Sequence, residues 1–344
     1  MGERVDVNYV LVTGGLGYIG SHVVLSLVKA GFHPIVVDSL IGAGEDRIKK
    51  IRKVAGQDVI VRVGDVRDKG FLDAIFTRFH VMGVIHLAGL KSVSDSFEVP
   101  IDYYSANLHG VICLIDAMQR AGVFRLIFSS SATVYSPSNR CPLDENACVG
   151  QQVNPYGRTK RFAEAFLEDV SASDSRWRVC ALRYFNPIGA DSSGDLPEEP
   201  LGKPANIMPN ILNAALGITP YLSIHGDDYD TRDGTGARDF IHVSDLSDGH
   251  VVAFEYLDCR EGFSVFNLGT GQSHTVLELV AAFESATGLS VPMKLNPRRP
   301  GDLPIVYADV DSARRELNFK TKRGLNEMCR DSLAAAIKRR NEKR

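Results

Sequence analysis

The chain has 344 residues, 44% hydrophobic and 24% charged, enough apolar surface to close one large or two medium soluble cores. A formal net charge of −3 gives no reason to expect nucleic acid as a partner, and no apolar run is long enough to span a bilayer. No long apolar core follows a basic start, so no secretory signal is expected, and Asp6 after Met1-Gly2 fails the myristoylation pattern.

From the N-terminus, Tyr9-Val10-Leu11-Val12 is a short apolar run that leads into Gly14-Gly15-Leu16-Gly17-Tyr18-Ile19-Gly20. Ser21 to Ala30 then repeats apolar residues at helical spacing. Further runs follow at Pro34 to Val37, Val59 to Val63, Val84 to Leu87 and Leu126 to Phe128, each ending on small or polar residues, and Val179 to Leu182 ends on Arg183-Tyr184-Phe185-Asn186. Strands separated by helix-length segments predict parallel βαβ units, which bind ligands at the carboxyl ends of their strands. The fold class expected is α/β: a Rossmann-type doubly wound parallel sheet over residues 1–186, then a smaller, loop-rich substrate domain over 187–344. The chain is expected to cross back to the first domain at about 236–270. Residues 187–240 are rich in Pro, Gly, Asp and Asn and read as pocket-shaping loops. Phe263 to Leu268 reads as a late strand, Thr275 to Thr287 as an amphipathic helix, and the basic run Lys338, Arg339, Arg340, Lys343 and Arg344 as a solvated helix end. Cys113, Cys141, Cys148, Cys180, Cys259 and Cys329 show no paired spacing; Cys113 and Cys180 lie in apolar runs and are expected as small core residues. Such usage suits a reducing, cytoplasmic setting.

In the glycine turn, Gly14 and Gly17 would let the backbone bend and approach a phosphate, and Gly20 would let the next helix pack against the sheet with its N–H groups facing the anion. Asp38 closes the following strand about where a ribose 2′-hydroxyl would lie; a carboxylate there favours NAD over NADP. A helix N-cap at Asp38 or Ser39 is compatible with the same placement.

Asn154 can cap a helix whose first residue is Pro155, and Tyr156 and Lys160, at i and i+4, then share a face. A free tyrosine holds its proton too tightly to be a base at neutral pH, so a nearby ammonium is expected to lower its pKa, with the positive nicotinamide of NAD adding to the effect. Ser131, at the end of a strand, could donate to the same reacting oxygen. This trio with the glycine turn points to hydride transfer at a sugar or alcohol carbon. Asp228, Asp230 and Asp233 miss the calcium-loop spacing, His86 reads as a packed core histidine, and no metal site is expected.

The chain resembles the UDP-glucose (UDP-galactose) 4-epimerases, extended members of the short-chain dehydrogenase/reductase superfamily, from Tyr9 to about Ser332. The residues carrying the resemblance are Thr13 to His22, Ala88-Gly89-Leu90-Lys91, Ser129 to Tyr135, Arg183 to Pro187, Asp233 to Gly236 with Arg238-Asp239, and Arg299-Pro300-Gly301-Asp302. It implies a tightly held NAD that is reduced and reoxidised in each turnover, while Tyr156 takes the proton of the sugar 4-hydroxyl. It also implies cofactor contacts at Tyr18, Ile19, Ser39, Asp65, Val66, Leu87, Ala88, Gly89, Lys91 and Phe185. A UDP-sugar substrate is implied at Lys91, Ser131, Tyr156, Asn186, Asn206 and Ile207, and at Ser223, His225, Arg238, Arg299, Asp302 and Val306, the arginines suiting a diphosphate. Family members are commonly homodimers, so the resemblance implies one here.

Ala132-Thr133 after Ser131 lacks the acidic pair that related nucleotide-sugar dehydratases use for elimination, so epimerisation is the expectation. Two positions depart from the family. His225 stands where relatives place a phenylalanine expected to stack on uracil, and Val306 where sugar-specific relatives have a tyrosine. A small residue at 306 leads to the expectation that the N-acetylated sugars UDP-GlcNAc and UDP-GalNAc are also accepted, against a mere packing change. A 4-epimerase of another nucleotide sugar, such as a UDP-uronic acid, and a non-catalytic NAD-binding sensor are the alternatives; the sensor would be expected to lose Tyr156 or Lys160.

Overall fold

Residues 8–42, 44–152, 154–200, 202, 204–299 and 301–342 are described by a computed structural model. Met1, Gly2 and Asp6 of the N-terminal pattern, Pro300, and Lys343 and Arg344 of the basic run lie outside the described residues. The apolar runs become β1 (Tyr9–Thr13), β2 (His33–Asp38), β3 (Ile60–Val63), β4 (Val81–His86), β5 (Arg125–Ser131) and β6 (Arg178–Tyr184). Short strands follow: β7 (Asn186–Ile188), β8 (Leu222–His225), β9 (Ala237–Arg238) and β10 (Phe240–His242). Then come β11 (Gly262–Leu268), β12 (His274–Thr275), β13 (Met293–Asn296) and β14 (Ile305–Val306).

Seven strands form one sheet in the order β11-β6-β5-β4-β1-β2-β3. β1 pairs in parallel with β2 on one side and β4 on the other, and the outer pairs β2–β3 and β4–β5 are parallel too. This is the doubly wound order, and the direction of winding reverses between β1 and β4. Parallel strands covered on both faces need continuous apolar runs, and Val10, Leu11, Val12, Val84 and Ile85 are all wholly buried. The helix after β2 begins only at Asp46, so neither Asp38 nor Ser39 caps it.

The described residues divide into two compact units: those within 1–134, 154–182 and 247–265 in one, and those within 135–153, 183–246 and 266–344 in the other. Residues 135–153, expected with the first domain, belong with the second because their polar contacts lie there. Tyr135 donates to Asn267 Oδ1 (2.7 Å), and the Leu143 amide donates to the Tyr307 carbonyl (3.0 Å). The return segment is 247–265, shorter than expected.

The second unit holds three small sheets, β10-β7, β12-β9-β14 and β13-β8. Its core gathers Met208, Ile211, Phe240, Leu279, Phe283 and Met328. The stretch expected as loops contains the helix Ile207–Ala215, whose Pro209 sits in the first turn, where no intrahelical N–H is needed. The expected amphipathic helix is Val276–Thr287, started by a reciprocal capping box between Thr275 and Glu278. Cys180 is buried as expected, but Cys113 is only partly so, with its sulfur 3.3 Å from His109 Nε2. All six cysteines are free, and no helix among the described residues is long and apolar enough to cross a membrane.

Candidate active site

The turn after β1 lies at the reversal of winding, and its glycines are required by its own backbone. Gly14 has φ +70°, and a Cβ there would lie 2.6 Å from the Ala88 nitrogen at the end of β4. A Cβ on Gly20 would lie 2.1 Å from the Gly14 carbonyl oxygen, so the helix Tyr18–Lys29 packs directly on the turn. Gly17 is the N-cap of that helix, without a side chain over the free amides. Asp38 closes β2, and its carboxylate accepts the amides of Leu16 (3.0 Å) and Leu40 (2.9 Å). It therefore ties the turn to β2 while keeping acceptor capacity for a hydroxyl. Burial raises the Asp38 pKa, and those two amides oppose the rise.

Around this turn, Tyr18 is buried, Ile19 is half-buried, and Ser39 is exposed. Leu87 and Ala88 are half-buried at the end of β4, Gly89 is exposed, and the Lys91 ammonium lies 6.0 Å from the Tyr18 ring centre. Val66 is buried; Asp65 is paired with Arg67 (2.5 Å), whose guanidinium holds the carboxyl below its ordinary value.

The second cluster sits where β5 meets the helix Pro155–Ser173. Asn154 caps that helix as expected, its Oδ1 accepting the Gly157 amide at 2.7 Å. Tyr156 is partly buried, edge-on to Tyr103 with ring centres 6.5 Å apart. Lys160 is 4% exposed; its Nζ donates to the Ser129 carbonyl (2.7 Å) and lies 5.0 Å from the centre of the Phe128 ring. Ser131 Oγ accepts from the Thr133 amide (3.2 Å) and the Thr133 hydroxyl (3.0 Å).

The electrostatics correct one expectation. Burial pushes the Tyr156 hydroxyl up to about 12; a hydrogen bond with Ser131 works downward and Tyr103 upward. The Lys160 ammonium is directed to a backbone carbonyl, and burial lowers its own pKa to about 8, with Glu164 opposing. The chain alone therefore does not lower the tyrosine: desolvation is the largest influence on it and exceeds the downward pull of the Ser131 hydrogen bond. His86 is packed in the core as expected, stacked on Phe128, with Nδ1 2.7 Å from Thr13 Oγ1. Burial first, and then the Lys160 charge, push it down to about 3.

Two groups here escaped the sequence reading. Asn107, in a one-turn π-helix over Ser105–His109, fastens Leu90, after β4, to Thr159 on the Tyr156 helix. Glu164, 1% exposed, accepts from Ser130 Oγ at 2.5 Å. The spacing Tyr156, Lys160, Glu164 at successive turns was the available signal for the second. A single amide in a helical stretch gave none for the first.

In the second unit, β9 carries Arg238, and Val306 on β14 is its register partner. Burial lowers the Arg238 pKa, the Asp302 charge raises it, and the Arg299 charge lowers it again, which places the three charges near one another. Arg299 Nε donates to Asp302 at 2.8 Å. Ser223 and His225 lie on β8, and His225 is the register partner of Asn296 on β13. Phe185 is buried and Asn186 exposed on β7; Asn206 donates its amide to Glu198 (2.5 Å), with Ile207 next to it half-buried. Asp228 pairs with Arg298 (2.6 Å), and Asp233 accepts from Thr235 and Thr275. Among the described residues, no cluster of three or more His, Cys, Asp or Glu could hold a metal.

Fold and site define a member of the family described as GDP-mannose 4,6 dehydratase, whose model matches residues 11–332. Within the relatives, a UDP-glucose 4-epimerase of Arabidopsis thaliana is 47% identical over 94% of this chain and 93% of its own length. The chain belongs to the UDP-glucose 4-epimerase family. A Stenotrophomonas maltophila UDP-glucose-4-epimerase, solved with NAD and formylated UDP-arabinopyranose, superposes with a TM-score of 0.94 at 43% identity, covering 97% of this chain and 99% of that one. The Bifidobacterium longum enzyme, in complex with NAD+ and UDP, gives 0.93 at 42%, with the same coverage.

The lysine supplies a test. Between about pH 8 and its ordinary 10.5, the unfolded chain holds a proton at Lys160 that the folded chain has released, so this residue makes stability rise with pH in that window. The unfolding free energy of wild type minus that of Lys160→Met should climb by up to about 3 kcal/mol across it in denaturant titrations. A flat difference would show that the ammonium is not buried as described.

Proposed function

We propose that the protein interconverts UDP-glucose and UDP-galactose by epimerisation at carbon 4, with NAD held by the turn after β1. The observation that carries this reading is that Tyr156 hydrogen-bonds Ser131 while Lys160, one turn on, donates to the Ser129 carbonyl of the same strand, in a chain 47% identical to a UDP-glucose 4-epimerase. The cradle suits a dinucleotide: Gly14, Gly17 and Gly20 leave backbone amides uncovered at a helix N-terminus, and Asp38 offers a carboxylate at the end of β2. NAD, when bound, supplies a hydride acceptor at carbon 4 that can later return hydride to the other face, and its oxidised ring adds positive charge.

Tyr156 would act as the phenolate, the form that the Lys160 charge and the oxidised ring of bound NAD favour against burial: it takes the proton of the 4-hydroxyl and gives it back after the sugar has turned. Ser131 donates to the same oxygen, and Lys160, one helical turn from Tyr156, holds the end of β5 through Ser129. Arg238 and Arg299 bind the diphosphate, with Asp302 orienting Arg299. Asn186, Asn206, Ile207, Ser223 and His225 contribute to the nucleotide and sugar pocket, with Phe185 and Lys91 at the cofactor. Elimination is disfavoured because Thr133, where a dehydratase needs an acid, is a hydroxyl donating to Ser131.

We also propose a homodimer built on the helices Val93–Glu98, Pro100–Tyr104 and Pro155–Ser173. Phe97, Ile101 and Phe162 are at least half exposed there (59%, 82% and 50%), an apolar patch that a second copy would cover. The six free thiols accord with a cytoplasmic setting.

Purified protein given UDP-galactose and no added cofactor should form UDP-glucose. Tyr156→Phe should retain bound NAD yet lose on the order of 10³-fold or more in kcat; wild-type turnover in that variant overturns the role of the phenol. Val306, half-buried on β14, should admit an N-acetyl group, so UDP-GlcNAc should be turned over and Val306→Tyr should suppress that activity selectively. Equal loss of both activities would show position 306 to be a packing site. Light scattering should give a dimer mass for wild type and a monomer for Ile101→Glu/Phe162→Glu; an unchanged mass places the interface elsewhere.

A further inference from the structure

The helix Pro155–Ser173 carries a third ionisable group in line with Tyr156 and Lys160. Glu164 is four residues beyond Lys160, on the same face, and it is 1% exposed. A carboxylate is seldom shut away from water without a partner, and on this helix the lysine, itself 4% exposed, is one turn away. The two groups grip consecutive residues of one strand. Lys160 Nζ donates to the Ser129 carbonyl at 2.7 Å, and Glu164 Oε1 accepts from Ser130 Oγ at 2.5 Å. Ser131, which meets the tyrosine, is the next residue of β5.

We propose that Glu164 is a positioning residue for the epimerase reaction, a buried counter-charge that keeps Lys160 protonated and clamps the end of β5 so that Ser131 and Lys160 face Tyr156 together. This rests on the role given to Lys160 above. The direction of the effect agrees with it: burial lowers the lysine, and the Glu164 charge is what opposes that loss. The other titratable groups facing the pair do not substitute for it. His86, from β4, is held neutral by a pKa near 3, Tyr103 stays protonated because burial raises its pKa, and the Tyr156 phenol, likewise raised by burial in the chain alone, ionises only in the turnover step that the lysine serves. Without Glu164, the ammonium would keep a carbonyl and an aromatic face but no negative charge beside it.

The test is the pH dependence of kcat for UDP-galactose conversion in the NAD-loaded enzyme, whose alkaline limb reports loss of the Lys160 proton. Glu164→Gln keeps an acceptor for Ser130 but removes the charge, and its limb should fall by about one pH unit or more. Ser130→Ala, which disturbs the same contact but leaves the charge, should leave the limb where it is. A purely structural role for Glu164 would lower stability or activity at every pH without moving the limb. Should Glu164→Gln fail to fold, Glu164→Asp, which draws the charge back, should give a smaller fall in the same direction. An unmoved limb in either folded variant overturns the proposal. A wild-type protein without epimerase activity would instead overturn the underlying reading.

Discussion

The Lys160 ammonium lies where almost no water reaches it, and a charge so placed must find its stabilisation within the protein. Ser129 supplies a carbonyl and Phe128 the face of a ring. Each contact fixes geometry as well as energy, because both residues belong to β5 and the lysine belongs to the following helix. The strand end and the helix face are thereby locked together, and Ser131 and Tyr156 inherit their relative position. The same desolvation acts on the neighbours: it drives Tyr156 up to about 12 and His86 down to about 3. Desolvation presses Tyr156, His86 and Lys160 toward their neutral forms, and Lys160, near 8, is the one of the three closest to changing state at working pH.

A second constraint is steric and sits at the reversal of the sheet. Gly14 approaches the end of β4, and Gly20 approaches Gly14, so closely that neither tolerates a Cβ. Asp38 adds a hydrogen bond from the neighbouring strand to the same turn. Three strands and one helix are therefore fixed to each other within a few residues, and the free amides of the helix Tyr18–Lys29 are aimed by that packing. A dinucleotide site of this kind is a by-product of backbone proximity. At this turn the chemistry of the side chains enters through Asp38.

Much of this was legible in the residues because it depends on short-range rules. Strand spacing, the glycine turn, the Asn154-Pro155 start and the Thr275 cap are local patterns, and each corresponds to an element in place. What local pattern could not show was decided by long-range contact or by burial. Residues 135–153 join the second unit through partners such as Asn267 and Tyr307, more than a hundred positions away. The helix Ile207–Ala215 was hidden by Pro209, which is harmless in a first turn. For the chain alone the Tyr156 shift runs upward, against the expectation from an i, i+4 ammonium, because the cost of removing the phenol from water is a matter of burial that spacing does not show. Cys113 lies in an apolar run but on the edge of its helix's buried face, a distinction that run-counting cannot make.

The matching family is described by a dehydratase, whereas the relatives reported above are epimerases, and the difference turns on very few atoms. On the proposed reading both chemistries begin by oxidising carbon 4, so both would use the turn, the phenol and the lysine. Elimination then requires a further base and acid, whereas epimerisation requires only that the oxidised sugar turn over before hydride returns. After Ser131 the chain makes a short 3-10 turn over Ala132–Val134, and Thr133 folds its hydroxyl back onto Ser131 Oγ. An aliphatic alcohol so engaged has neither the acidity nor the basicity for elimination at neutral pH, so on the proposed reading the oxidised sugar has one forward course, reduction from its other face.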